Sequence, residues 1–156
     1  ATLFQENNLF PHLTIKKNLA LALTQWPWLT SKHKNIIQEA MAATEISSTE
    51  DHLPSKLSGG QRSRAGLARI LIQSRPILLL DEPFSALGPA QKNQMLDLVN
   101  RIAKKKQLLV LLVTHDPKDA LRIAPHTITV IDGYASGPIS TSTALDKKSG
   151  YLTKYL

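Results

Sequence analysis

Pro76-Ile77-Leu78-Leu79-Leu80-Asp81-Glu82-Pro83 runs four aliphatic residues straight into two adjacent carboxylates. An uninterrupted apolar run bounded by prolines reads as a central parallel strand buried on both faces, because a strand covered from each side has no reason to alternate. Asp81 and Glu82 cannot stay in that core. They must emerge at the strand's carboxyl end, where open α/β sheets bind their ligands. Two carboxylates there can hold a metal or handle a proton, yet many apolar strands simply end in an acid. The surrounding sequence has to decide.

Downstream, Phe84-Ser85-Ala86-Leu87-Gly88 reads as a short loop, and Pro89 suits the first turn of a helix whose buried stripe is Met95, Val99, Ile102 and Ala103. Leu108 to Val113 is a second apolar strand, ending in Thr114-His115-Asp116, and Pro117 opens a short helix to Ile123. Strand, helix, strand, helix at this spacing predicts right-handed βαβ units in a parallel sheet. Thr127 to Ile131, with turn signals at Asp132-Gly133 and Ser136-Gly137-Pro138, predicts a strand and hairpin at the sheet's edge. Ser142 to Leu156 reads as a terminal helix interrupted at Ser149-Gly150.

Upstream, Leu57-Ser58-Gly59-Gly60-Gln61 precedes a helix to Gln73 that turns Ala65, Ala68, Leu71 and Ile72 inward. A hydroxyl and unpaired backbone N–H groups at a helix start attract phosphate, although Ser-Gly-Gly alone is also an ordinary cap. Thr14 is placed as the N-cap of a helix to Leu23, and Trp26-Pro27-Trp28 breaks that pattern. Ser31 is placed as the cap of a second helix with Ile36, Ile37, Ala40, Met41 and Thr44 at helical spacing, and Ile46 to Lys56 reads as a polar surface connection. The opening Ala1 to Gln5 looks like the end of a strand.

The chain has 156 residues, 42% hydrophobic, enough for one globular domain or part of one. No stretch approaches the roughly 20 apolar residues of a membrane span and no signal-peptide pattern opens it, so the expectation is a soluble or peripheral protein. Cysteine is absent, which excludes disulfides and thiolate metal sites and fits a reducing compartment. The net charge of +7 is dispersed, and its one run of three, Lys104-Lys105-Lys106, closes a predicted helix where cations suit the dipole. Nucleic-acid binding is not expected.

Taken in order, Gln5, Leu57 to Gln61, Asp81-Glu82, Ser85-Ala86-Leu87 and His115 resemble the ATP-binding cassette (ABC) family, in a match that covers nearly the whole chain. Gln5 resembles the Q-loop glutamine, Ser58 to Gln61 the signature, and Asp81 and Glu82 the Walker B pair. Ser85 to Gly88 resemble the D-loop, and His115 the switch histidine. The resemblance implies an α/β fold, a P-loop NTPase-like parallel sheet flanked by helices with an inserted helical subdomain. The implied divisions are 1–6 (strand end and Q-loop), 7–56 (helical subdomain), 57–141 (signature helix, Walker B and switch region) and 142–156 (terminal helix). ATP and Mg²⁺ are the implied cofactors, and an ATPase the implied enzyme. Glu82 would be the general base and His115 a γ-phosphate contact. Asp81 and Gln5 would serve Mg²⁺, and Gln5, Ser58, Gly59, Gly60, Gln61, Asp81 and Ser85 would line the nucleotide site.

The implied partners are transmembrane permease subunits, a second ATPase subunit in a head-to-tail homodimer whose ATP is capped by Ser58 and Gly60, and, indirectly, a periplasmic solute-binding protein. The implied location is peripheral, on the cytoplasmic face of the bacterial inner membrane. Within the family, Leu3 to Phe10 with His12-Leu13-Thr14, and Pro76 through Pro89, look most like the ATP-binding subunits of bacterial thiamine importers. Importer ATPases for polyamine, iron or sulfate, a silent truncated remnant, and a non-transport ABC protein are the alternatives. Two departures stand out. No G-x-x-x-x-G-K-[ST] occurs, so the sequence resembles a chain truncated at its amino end or a gene fragment, expected to be inactive alone. Gly88 stands where the D-loop usually has Asp, which puts coupling between the two sites in question.

Overall fold

The computed structural model describes residues 1–3, 9–24 and 28–145. They fall into two compact units, 1–113 and 114–156, each taken by itself. The first holds a parallel sheet of β1 (Thr2–Leu3), β2 (Ile77–Asp81) and β3 (Leu109–Val113) in the order β1-β2-β3. Leu78 pairs with Val110, Leu80 with Leu112 and Asp81 with Val113. The helices are α1 (Ile15–Ala20), α2 (Ser31–Ala43), α3 (Gly59–Ile72) and α4 (Pro89–Lys106). α4 is the crossover between β2 and β3, as the βαβ reading predicts. Pro89 stands where a missing N–H costs nothing, Met95, Leu96, Leu98, Val99 and Ile102 are buried, and the three lysines close the last turn.

Leu3, Leu78 and Leu80 are buried, but Leu109 is 65% exposed and Ile77, Leu111 and Val113 about half exposed. The expected burial on both faces is therefore not found: exposure alternates along β3 with the pleat. Among the described residues only one face of the sheet is covered. Composition records what a strand can bury, and its neighbours decide what it does bury.

Ile15 and Leu19 of α1, Ile37 and Met41 of α2, Ile46, Leu57, and Ala65, Ala68 and Ile72 of α3 form one apolar cluster, so the signature helix shares a core with the helices before it. Thr14 caps α1 as predicted, accepting from Lys17 N–H. The cap of α2 is Thr30, not Ser31: Thr30 Oγ1 accepts from His33 N–H at 3.2 Å, and Ser31 is already helical. Residues 46–56 are more than a surface connection. They contain two 3₁₀ turns, Ser47–Thr49 and Pro54–Lys56, and His52 and Glu50 carbonyls accept from Ile15 and Lys16 N–H, 2.9 Å each, so they satisfy the unpaired start of α1.

Glu45, at φ 61°, closes the end of α2. Its carboxylate accepts from Arg64 of α3 and, at 2.5 Å, from Arg101 of α4, while Arg64 also donates to Thr44 O. These two bonds, Arg64 first, hold the Glu45 pKa below the usual carboxylate range.

In the second unit, α5 (Pro117–Ile123) is followed by two antiparallel pairs, β4 (His126–Thr127) with β7 (Ile139–Ser140) and β5 (Val130–Ile131) with β6 (Tyr134–Ala135). Asp132 and Gly133 both have positive φ, the geometry of a tight hairpin turn. The strand expected over 127–131 is divided. At its middle, Thr129 N–H donates to Ser136 Oγ and Ser136 N–H to Thr129 O, so side-chain bonding interrupts the ladder. α6 spans Thr141–Ala144; the rest of the expected terminal helix, with Ser149-Gly150, lies outside the described residues.

Candidate nucleotide site

β2 ends on Asp81, whose side chain is exposed, and the chain turns sharply at Glu82. Glu82 has φ 42°, a left-handed backbone that costs a β-carbon-bearing residue on the order of 1–2 kcal/mol. Its N–H donates to Val113 O at 3.0 Å, and its carbonyl accepts from Ser85 N–H at 3.3 Å and Ser85 Oγ at 3.0 Å. Buried Phe84 anchors the following turn. Ser85, expected on the nucleotide, thus spends its hydroxyl proton on holding the backbone of the carboxylate before it.

Ser58 caps α3 as predicted, with a reciprocal pair: Ser58 Oγ accepts from Gln61 N–H at 3.2 Å, and Gln61 Oε1 accepts from Ser58 N–H at 2.9 Å. Gln61, expected to line the nucleotide site, uses its side-chain oxygen to close this cap. Ser58, acting as acceptor, retains its O–H for a ligand. Gly59 and Gly60 occupy the first helical positions, where N–H groups have no partner in the helix. A Cβ on Gly59 would come within 3.3 Å of Leu87 Cδ2, so the helix start and the loop after Glu82 lie against each other, whereas a Cβ on Gly60 would make only ordinary contact with the Gln91 side chain, at 3.9 Å. Gly88 caps α4 at φ −64° with nothing near an added Cβ, so an aspartate there would fit.

His115 belongs to the second unit, and its side chain is exposed. The turn that carries it is fixed around a buried carboxylate. Thr114 Oγ1 donates to Asp119 Oδ2 at 2.7 Å and accepts from Asp116 N–H at 3.1 Å, and Asp116 Oδ1 accepts from Lys118 N–H at 3.0 Å. Sequence reasoning named Thr114 beside His115 but missed Asp119, whose only trace was an acid in the first turn of a proline-led helix. Gln5 lies outside the described residues. Among those described, no three His, Cys, Asp or Glu side chains gather as a metal cage. Mg²⁺ keeps most of its waters and takes one or two carboxylates plus phosphate oxygens, and the exposed Asp81 carboxylate has the chemistry of such a donor.

A parallel strand running into two acids and a crossover helix back to the next strand of the same sheet define an α/β protein. The ABC transporter family model matches residues 1–85, and the chain belongs to that family. Its curated relatives include the thiamine import ATP-binding proteins ThiQ of Ruegeria sp. (strain TM1040), 47% identical over all of this chain and 68% of that protein, and of Yersinia pestis, 49% identical over 84% of this chain and 56% of that protein. The chain thus spans about two thirds or less of the relatives it matches. Among solved structures, cbiO1 from Clostridium perfringens superposes with a TM-score of 0.86 at 19% identity, covering 96% of this chain and 60% of that one, and shares the fold.

Proposed function

We propose that these residues are the part of an importer ATPase that carries the general base, the signature and the switch histidine, energising uptake of a small molecule, with thiamine the favoured solute. The observation that carries the reading is Glu82. It is held in a left-handed backbone by Val113 and Ser85 at the end of a parallel strand, a strain that a structural surface acid has no use for. Thiamine rests on the names of the relatives alone.

In this reading Glu82 accepts the proton of the attacking water, and Asp81 would hold Mg²⁺, which supplies charge neutralisation at the phosphates. His115 steadies the γ-phosphate. Ser58 and Gly60 offer a hydroxyl and N–H groups to the ATP of a second, head-to-tail subunit. Residues 7–56 carry the permease-facing surface, with Phe10, 42% exposed, Pro11 and the partly buried Leu13 receiving an apolar permease segment on the cytoplasmic face of the membrane. No described helix is itself long and apolar enough to cross one.

Glu82→Gln in the full-length subunit of the assembled transporter tests this. The amide keeps shape and hydrogen bonding but takes no proton, so ATP should still bind while hydrolysis and uptake fall by about 10²–10⁴. Near-normal turnover would remove Glu82 from the role of base.

A further inference from the structure

Asn18 is the largest polar side chain among the fully buried described residues, and its amide bonds the loop before its helix as well as the carbonyl of the Thr14 cap. Buried Thr44 and Thr49 bond carbonyls within four residues of themselves, which satisfies them locally. Asn18 instead accepts from Phe10 N–H at 2.7 Å, and its two N–H groups are shared among the carbonyls of Phe10 (3.1 Å), Leu13 (3.0 Å) and Thr14 (3.1 Å). The close Phe10 N–H requires an oxygen there, which fixes the amide's orientation. Leu13 N–H adds one bond to Phe10 O at 3.2 Å. Loop 10–14 therefore takes most of its hydrogen-bonded shape from one side chain that does not belong to it. The Phe10 ring so positioned lies under the Arg69 guanidinium of α3, 5.3 Å from the ring centre, with His12 edge-on at 6.1 Å.

We infer that Asn18 is the positioning residue for the permease-facing loop: it presents Phe10 outward and, with Arg69, makes the loop move as one piece with the signature helix. The inference rests on the docking role given to Phe10 above. An apolar permease segment can press on Phe10 only if the loop beneath does not yield, and a buried amide bonded on both sides supplies that stiffness.

Hydrogen exchange on the full-length subunit tests the geometry, and permease binding tests the consequence. In the unaltered protein Phe10 N–H should exchange slowly, with the amides of α3, although it lies in no helix or strand. Asn18→Asp keeps the shape and the bond from Phe10 but sets a carboxylate against three carbonyls. It should speed exchange at Phe10 and Leu13 on the order of tenfold or more, leave Leu67 and Ile70 unchanged, and weaken permease binding on the order of tenfold with turnover of the free subunit unaltered. Unchanged exchange at Phe10, or unchanged permease affinity with a loosened loop, overturns the inference. Phe10→Ala separates the two claims. If it weakens binding and Asn18→Asp does not, only the positioning role fails; if neither weakens binding, the docking reading fails first. Should Asn18→Asp unfold α1, the unaltered Phe10 amide decides: protection supports the inference, and exchange at an open-loop rate overturns it.

Discussion

The cap of α3 allows structural and nucleotide-binding roles to be separated at one side chain, Gln61. Gln61→Ala removes the 2.9 Å bond from Ser58 N–H but leaves the Ser58 hydroxyl free to accept from the backbone of residue 61 at 3.2 Å. Ser58 is exposed, so its orphaned N–H can turn to water. The loss then sits at the lower end of capping energies, about 0.5–1 kcal/mol. For a chain of this size that lowers the melting temperature by roughly 1–4 °C. Gln61→Glu keeps an acceptor oxygen in place and adds a negative charge at the positive end of a helix, a gain of about 0.3–1 kcal/mol. Its melting temperature should match or exceed that of the unaltered protein. Circular dichroism melts of the three proteins give the stability, and KM for ATP in the assembled transporter gives the function. If Gln61 only closes the cap, Gln61→Glu keeps KM within a few-fold, since the carboxylate stays folded back on Ser58. A large rise in KM for Gln61→Glu at unchanged melting temperature would show that the side chain meets the phosphates directly, and the capping account would be wrong.

Thr114→Val should cost about 1–3 kcal/mol by removing the 2.7 Å bond to the buried Asp119 carboxylate and the acceptor of Asp116 N–H, whereas Thr114→Ser should restore most of it; urea unfolding of both variants checks this, and equal losses would refute it. The Glu45 pKa is depressed in the folded state, so its stabilisation is fully present above the unfolded value near 4.3 and fades as pH falls through the lower folded value. Glu45 is half exposed, so the term is about 0.2–1 kcal/mol; Glu45→Gln should lose it at pH 7 and flatten the acid limb of the stability curve, and identical limbs would exclude it. Residues 1–156 alone should show no micromolar Mg-ATP isotherm. A helix-start contact of about 0.3–1 kcal/mol is far below the roughly 8 kcal/mol such affinity needs, and calorimetry reads the answer directly.

Much of the fold was legible because its signals are local. Ser58 with a glutamine three residues on, Pro89 at a helix start, Asp132-Gly133 at a turn and the aliphatic run into Asp81 each carry their meaning within a few positions. Neighbouring cap formers defeated that logic at Thr30 and Ser31, where either hydroxyl satisfies the pattern and only φ and ψ choose. The bare face of β3 could not be read at all, because Leu109, Leu111 and Val113 look alike whether covered or not. Asn18 was overlooked because a polar residue in an amphipathic helix reads as solvent-facing. Arg101 and Glu45, 56 positions apart, have no period to link them. For the candidate site, residue types were visible and duties were less so: Ser85 bonds the carbonyl of Glu82, which spacing alone does not reveal.

The left-handed backbone at Glu82 sets selection for robustness against selection for work. Glycine, and to a lesser degree asparagine, sit at such a φ more comfortably than glutamate. In a library of variants sorted only by survival of heating, position 82 should therefore drift toward glycine and the winners should be inert. The same library sorted by growth on scarce solute should return glutamate, so the two screens would part company at this residue while agreeing at well-packed positions such as Leu80.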